Sequence, residues 1–272
     1  MISAVTFAHT LNGFQSPSAH PSFSLVLKGI RRKIFVPPKR AVLLTPQIVM
    51  NLMSCLVGAD LEVGSFYNVQ LIDWRTVAFA VLTFSALARF DCACKLEPKH
   101  LDFGNEILTI TFPPSKTDQI GEGMKVSVHR TNNESCPVNF LESYLDRLHW
   151  EASLETQGTR YSGPILPTLT TRKVKAWFGE AISSLPAKAG TPFSRSAATI
   201  ALRKGLEKIG HPNASSFTLH SGRRGGASAA VAAGCDLVTL KRQGRWKSDS
   251  CPQLYIDENV SLKTNFSKFL SL

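Results

Sequence analysis

Residues 217–256 read FTLHSGRRGGASAAVAAGCDLVTLKRQGRWKSDSCPQLYI, and the rest of the chain is organised around them. His220 and Arg223 are three apart, Trp246 lies in a basic patch, and Tyr255 follows nine residues later. Residues at i and i+3 share a helix face, so the imidazole and the guanidinium can converge on one small anion. A guanidinium offers bidentate donors to phosphate oxygens, and imidazole supplies a donor or a proton relay. A phenol downstream is either a core residue or a nucleophile. Gly222, Gly225 and Gly226 are poor residues for a helix interior. They serve either close approach of the backbone to phosphate or tight packing at a helix start.

With 272 residues, 43% of them apolar, the chain can bury a sizeable core. A formal charge of +11 favours a polyanionic partner, most simply nucleic acid. The charge is concentrated. The segment from Lys28 to Arg40 carries six bases and no acid, and that from Arg195 to Lys247 carries ten bases against Glu207 and Asp236. The remainder of the chain is slightly acidic, so the bases form candidate binding surfaces. Arg31, Arg32, Lys33, Lys39 and Arg40 belong to the first surface. Arg224, Lys241, Arg242, Arg245 and Lys247 belong to the second.

The six cysteines are scattered, and no C-x-x-C pair or His/Cys cluster has zinc spacing, so reduced thiols and no bound metal are expected. The most apolar run, Thr76 to Ala88, is thirteen residues long. A bilayer span needs about 20, so this run is expected to be a buried helix. Residues 1–27 lack the basic start of a signal peptide. A soluble, intracellular protein is expected, with no membrane and no small-molecule cofactor; no G-x-x-x-x-G-K-[ST] loop is present.

Taken in order, residues 1–30 predict a helical segment, a Ser/Pro turn over Gln15–Pro21 and a short helix over Phe23–Ile30. A basic linker with Pro37 and Pro38 leads to Thr45-Pro46, an N-cap with proline at N1. The helix that follows is expected to stop near Val57, with Gly58 just past its end. Asp73 is expected to cap a helix from Trp74 to about Asp91, apolar almost all round and therefore central to a core, with Arg89 near its C-terminal end. The period then changes. His100–Asp102, Glu106–Phe112 and Lys125–His129 predict three strands, the last two joined by a Pro/Gly-rich hairpin loop that carries Ser115 and Lys116. Helices are expected over Pro137–Trp150, Arg172–Ser184 and Ser194–Gly210.

An apolar helix ending in Arg89, a hairpin carrying Lys116, His220-Ser-Gly-Arg223, Gly244-Arg245-Trp246 and Leu254-Tyr255-Ile256 occur in one order. That order resembles the tyrosine recombinase (phage integrase-type) superfamily over roughly 45–259. The wording HSGRRGGASAAVAAG, GRWKSDS and YI looks most like the recombinases of eukaryotic mobile elements of the Crypton and DIRS types. The resemblance implies an α+β, mainly α-helical catalytic-domain fold with a small three-stranded antiparallel sheet at 37–272. It implies that residues 1–36 are the C-terminal remnant of a helical core-binding (SAM-like) domain. It also implies Arg89 and Arg223 as clamps on the scissile phosphate, Lys116 as proton donor to the departing 5′-oxygen, and His220 as proton-transfer aid and phosphate ligand. Trp246 takes the His/Trp position, and Tyr255 is the nucleophile of a 3′-phosphotyrosine intermediate. Ser115, Arg224 and Lys247 are expected at the DNA backbone.

Two arginines, a lysine and a histidine can supply the charge compensation that phosphoryl transfer elsewhere takes from metals, so no cofactor is implied. The implied partner is double-stranded DNA, gripped by a homo-oligomer (a tetramer on two duplexes), with the nucleus as compartment if the source is eukaryotic. Ser261–Leu272, with an apolar face at helical spacing, is expected to pack on a neighbouring copy. The sequence departs from the family at Cys92, where an acidic residue often stands three after the first arginine, and at Pro252, just before the nucleophile. Two other functions are open to such a chain: a DNA-binding module that does not cut, and a type IB topoisomerase.

Overall fold

The computed structural model describes residues 2–34, 41–61, 70–114, 123–131, 133–156, 160–176, 179–186, 190–253 and 255. The chain divides into two compact units, 1–40 and 41–272. In the first, helix α1 (Ile2–Leu11) is followed by a one-turn 3-10 segment and helix α2 (Pro21–Lys33). His20 caps α2 through its ring nitrogen, which accepts from the Ser22 N–H, and Pro21 stands at the first helical position. The helix expected over Phe23–Ile30 therefore starts earlier and ends later. Phe7, Leu11, Phe14, Leu25, Val26 and Ile34 are exposed.

The second unit is built round one buried helix. Helix α3 (Pro46–Leu61) starts at Thr45, whose Oγ1 accepts from the Ile48 N–H, and it runs through Gly58 rather than stopping there. Helix α4 (Leu71–Ser85) is the apolar helix of the sequence, with Leu71 and Trp74 to Thr83 buried, and α3 packs against it. Its N-cap is Gln70, not Asp73. Asp73 instead sits in the first turn, where its carboxylate accepts from Lys208 at 2.6 Å and opposes the helix dipole.

The helix also ends six residues before Asp91. The Ala88 N–H turns back onto the Leu82 carbonyl, with Leu87 in the left-handed region (φ 47°). Arg89 is thereby moved off the helix and becomes the N-cap of a short helix, α5 (Phe90–Ala93). Apolar periodicity carried no mark of this break.

Strands β1 (Leu101–Phe103), β2 (Ile107–Phe112) and β3 (Met124–His129) form an antiparallel sheet in that order, close to the expected limits. Leu108 opposes Val128 and Ile110 opposes Val126, and all four are buried, so the alternation fixes the register. Helix α6 (Pro137–Thr156) runs past Trp150, continued by the i,i+4 pair Arg147–Glu151.

The helix expected over Arg172–Ser184 is a second antiparallel hairpin. Strand β4 (Leu169–Ala176) pairs with β5 (Gly179–Pro186), from Leu169 opposite Pro186 to Ala176 opposite Gly179. Lys, Ala and Glu in this stretch look helical. Thr170, Thr171, Val174 and Gly179 favour strand and turn, and β5 lies against α4 and α6. Helix α7 (Arg195–Lys208), close to the expected Ser194–Gly210, is capped by Ser194. Helices α8 (Ser221–Ala232), α9 (Leu237–Gly244) and α10 (Ser250–Gln253) complete the described chain.

The glycines of α8 have a packing role. A Cβ on Gly222 would overlap Thr83, one on Gly225 the backbone of Leu44, and one on Gly226 the Phe84 carbonyl. Of the two expectations for these residues, tight helix packing is the one observed. Among the described residues no helix is long and apolar enough to cross a membrane.

Candidate phosphate-binding site

Four segments that are far apart in sequence meet at one place: the 86–89 turn, the start of α8, the end of α9, and Tyr255. The start of α8 is stitched down on both sides. The Leu44 N–H donates to the Ser221 carbonyl at 3.1 Å, and Arg203 on α7 donates to the Phe217 carbonyl at 3.0 Å. This sets His220 as N-cap and Arg223 in the first turn of α8. His220 makes no side-chain cap bond, and it is exposed.

Arg223 is 1% exposed. Its guanidinium donates to the carbonyls of Leu87 and of Gly244, the latter at 2.5 Å. It lies 4.4 Å from the Trp246 ring centroid and 5.2 Å from that of Tyr255. Trp246 and Tyr255 are tilted against each other at 5.2 Å. Together with Leu87, Ala227 and Leu240 they belong to a small apolar cluster separate from the main core. Cation–π contact of this kind favours a charged guanidinium in a partly dry place. Two buried donors there, Arg223 Nε and Trp246 Nε1, have no partner among the described residues. Unpaired buried donors are costly, and an anion would satisfy them.

The electrostatics are one-sided. Burial, then the charge of Arg89, pushes Arg223 down to about 10, and the Tyr255 phenol opposes that shift. Arg245 is pushed down to about 10 by burial, with Arg89 adding to the effect and Cys92 opposing it. His220, exposed at its edge, is held below its usual value by partial desolvation and by Arg195, Arg223 and Arg89, while Asp91 pulls the other way. Among the described residues no carboxylate forms a salt bridge with Arg89, Arg223 or Arg245; Asp91 pairs instead with Arg195. Guanidinia gathered with no salt-bridged carboxylate among the described residues make a candidate site for a phosphodiester group.

The structure thus brings together Arg89, His220, Arg223, Trp246 and Tyr255. Lys116 and Ser115 lie outside the described residues, as do Lys39, Arg40 and Ser261–Leu272. Arg224 is buried and donates to the Ala41 carbonyl, which binds α8 to the segment before α3 instead of facing a ligand. Lys241 pairs with Asp249 at 2.5 Å, while Arg242 and Lys247 are exposed. Arg32 and Lys33 are exposed on α2, whose last turn also holds Arg31. Sequence reasoning missed the Arg195–Asp91 pair beside His220, in which Arg195 also stacks 5.1 Å from the Phe90 ring. Nothing in the spacing joins positions so far apart. Among the described residues no group of three His, Cys, Asp or Glu could hold a metal.

No family model matches the chain. It is 24% identical over 270 residues to the integrase/recombinase xerD homolog of Selenomonas ruminantium, covering 97% of this chain and 69% of that protein. Among solved structures, it superposes on the XerH site-specific recombinase bound to palindromic difH substrate in a post-cleavage complex. The TM-score is 0.54 at 13% identity, over 85% of this chain and 53% of that one, so the chain spans about half the length of that relative. It also superposes on XerA recombinase with TM-score 0.54 at 16% identity, over 98% and 81% of the two chains. For the Tn1549 transposon integrase with a circular intermediate DNA, the values are 0.53, 13%, 99% and 76%. The fold is accordingly that of the tyrosine recombinase catalytic domain, mainly helical with a small three-stranded antiparallel sheet.

Proposed function

We propose that this chain is a tyrosine recombinase that cleaves and rejoins double-stranded DNA through Tyr255. The observation that carries the proposal is the contact of Arg223 with both Trp246 and Tyr255, beside Arg89 and, among the described residues, with no salt-bridged carboxylate on either arginine. The Tyr255 oxygen attacks the scissile phosphorus, the bond to the 5′-oxygen breaks, and that oxygen leaves with a proton. The product is a 3′-phosphotyrosine and a free 5′-hydroxyl. Attack by a 5′-hydroxyl reverses the step and restores the phosphodiester, so no nucleotide is consumed. Arg89 and Arg223 stabilise the charge that spreads over the non-bridging oxygens in the transition state. The Trp246 N–H is a further donor to the phosphate. His220, whose pKa is lowered by desolvation and then by its arginine neighbours, accepts the tyrosine proton. Lys116 is the proposed donor to the 5′-oxygen.

The wider reading follows the same resemblance. The reaction serves integration or excision of a mobile element of the Crypton or DIRS type, a reading that rests on the wording of residues 220–234 and 244–250. Residues 1–36 belong to a helical core-binding domain, and the protein works inside the cell, in the nucleus if the source is eukaryotic, as a tetramer on DNA. A second reading is a DNA-binding module that does not cut. The engagement of both Arg223 amino groups by backbone carbonyls favours it.

Incubation with a nicked suicide DNA duplex in EDTA separates the two. The expected result is a covalent protein–DNA adduct, abolished in Tyr255→Phe. DNA binding without adduct on the element's own terminal sequences would leave only the binding module.

A further inference from the structure

Arg245 occupies an unusual place. It follows α9 in the left-handed region (φ 55°), uncommon for a side chain with a Cβ. Its guanidinium is turned inward. One amino group donates to the Ala86 carbonyl at 3.3 Å and the other to the Leu87 carbonyl at 3.2 Å, and the plane covers the Phe112 ring at 3.8 Å. The Leu87 carbonyl therefore accepts from two guanidinia, those of Arg223 and Arg245. Leu87 is itself the left-handed residue that ends α4 and turns the chain toward Arg89. The neighbouring Gln243 donates to the Ser85 carbonyl at 3.2 Å and to the Ser127 carbonyl on β3 at 3.1 Å. Phe112 is the last residue of β2, directly before the loop that carries Lys116.

We infer that Arg245 is a positioning residue, which ties the 86–89 turn to the end of β2 and so sets Arg89 and Arg223 around one phosphate. The inference rests on the recombinase reading and assigns Arg245 a role other than gripping DNA. A planar fork suits it: stacking on Phe112 and bonding two successive carbonyls each need the flat guanidinium. A lysine keeps the charge and loses both. Because the two bonded carbonyls belong to a strained turn, losing them relaxes the turn and displaces Arg89 and Leu87 together. Displacements of about 1 Å in a reacting centre cost on the order of 100-fold in rate.

The test compares wild type, Arg245→Lys and Phe112→Leu in three measurements: DNA affinity, the single-turnover rate of adduct formation at saturating DNA, and the guanidinium NMR signal of Arg223 in the free protein. Both variants are expected to bind DNA within about twofold of wild type and to form adduct roughly 10–100-fold more slowly. The double variant should be no slower than the worse single one, and the Arg223 signal should shift in each. Weaker DNA binding with an unchanged rate at saturation in Arg245→Lys would make Arg245 a DNA contact and overturn the inference. An adduct missing from wild type defeats the recombinase reading instead. In that case the Arg223 signal decides the inference alone, with no shift in Arg245→Lys overturning it.

Discussion

Arg147 on α6 and Arg223 on α8 are both almost inaccessible to solvent, and they are treated in opposite ways. Arg147 faces Glu151 one turn along the same helix at 2.7 Å, with the Trp150 ring 5.1 Å from its guanidinium. Its charge is cancelled where it is buried. Arg223 has backbone carbonyls, two aromatic rings and further cations around it. Arg75 shows a third arrangement, a lone guanidinium donating to the Pro167 carbonyl at 2.6 Å over the Phe193 ring. Burial alone lowers its tendency to stay protonated, and no second arginine adds to that. The two buried cations that serve packing, Arg147 and Arg75, each stand apart from other cations, whereas Arg223 does not. Positive charge concentrated in this way is what the proposed phosphate contact requires.

Substitutions can break this contrast, beginning with the largest effect. Arg223→Lys keeps a charge and removes the fork, so adduct formation should fall by about 10³-fold, the lower end for a transition-state arginine. Single-turnover kinetics at saturating DNA measure it. A loss below tenfold would mean that Arg223 is another structural arginine like Arg75. Glu151→Ala removes the carboxylate that faces the buried Arg147 guanidinium, and should cost about 3–5 kcal/mol in urea unfolding while the adduct rate per folded molecule stays unchanged. A rate loss at constant stability would show that the two arginine classes are not separable.

Gly225→Ala pushes a Cβ into the Leu44 backbone. It should cost about 1–3 kcal/mol of stability, with the salt dependence of DNA binding preserved. A lower slope of log affinity against log salt would instead place Gly225 at the phosphate backbone. The smallest effect concerns pH. His220 must be neutral to accept a proton, so the rate should hold at neutral pH and fall on the acid side below the ordinary histidine range. Arg195→Ala removes a charge that depresses His220 and should move that limb to higher pH. Asp91→Asn removes the opposing charge and should move it lower. A pH–rate profile in which both variants shift in the same direction would exclude His220 as the titrating group.

Much of this was legible along the chain. Strand alternation in 107–112 and 124–129, the Thr45-Pro46 cap and the helix over 195–208 depend on residues within a few positions of one another. Local chemistry is enough to state them. The failures have a different origin. The end of α4 at Ser85 depends on Leu87 taking a left-handed conformation, held by carbonyl contacts to Arg223 and Arg245 far downstream. The hairpin at 169–186 depends on packing against α4 and α6, which outweighs a helical composition. Arg224 looked like a backbone contact by its place in a basic run, yet the chain before α3 passes over it.

By itself the sequence determined which chemical groups exist and in what order: arginine, histidine, arginine, tryptophan and tyrosine, with a strong excess of positive charge. Those are properties of residue type and spacing. Only the tertiary structure decided which of the many basic residues share one dry pocket. Among the described residues it paired no carboxylate with Arg89, Arg223 or Arg245, and it turned Arg245 toward the backbone of another segment. The physical reason is that charge compensation and backbone pairing are contacts across distance in the chain. No local pattern encodes which carboxylate or carbonyl will arrive beside a given guanidinium.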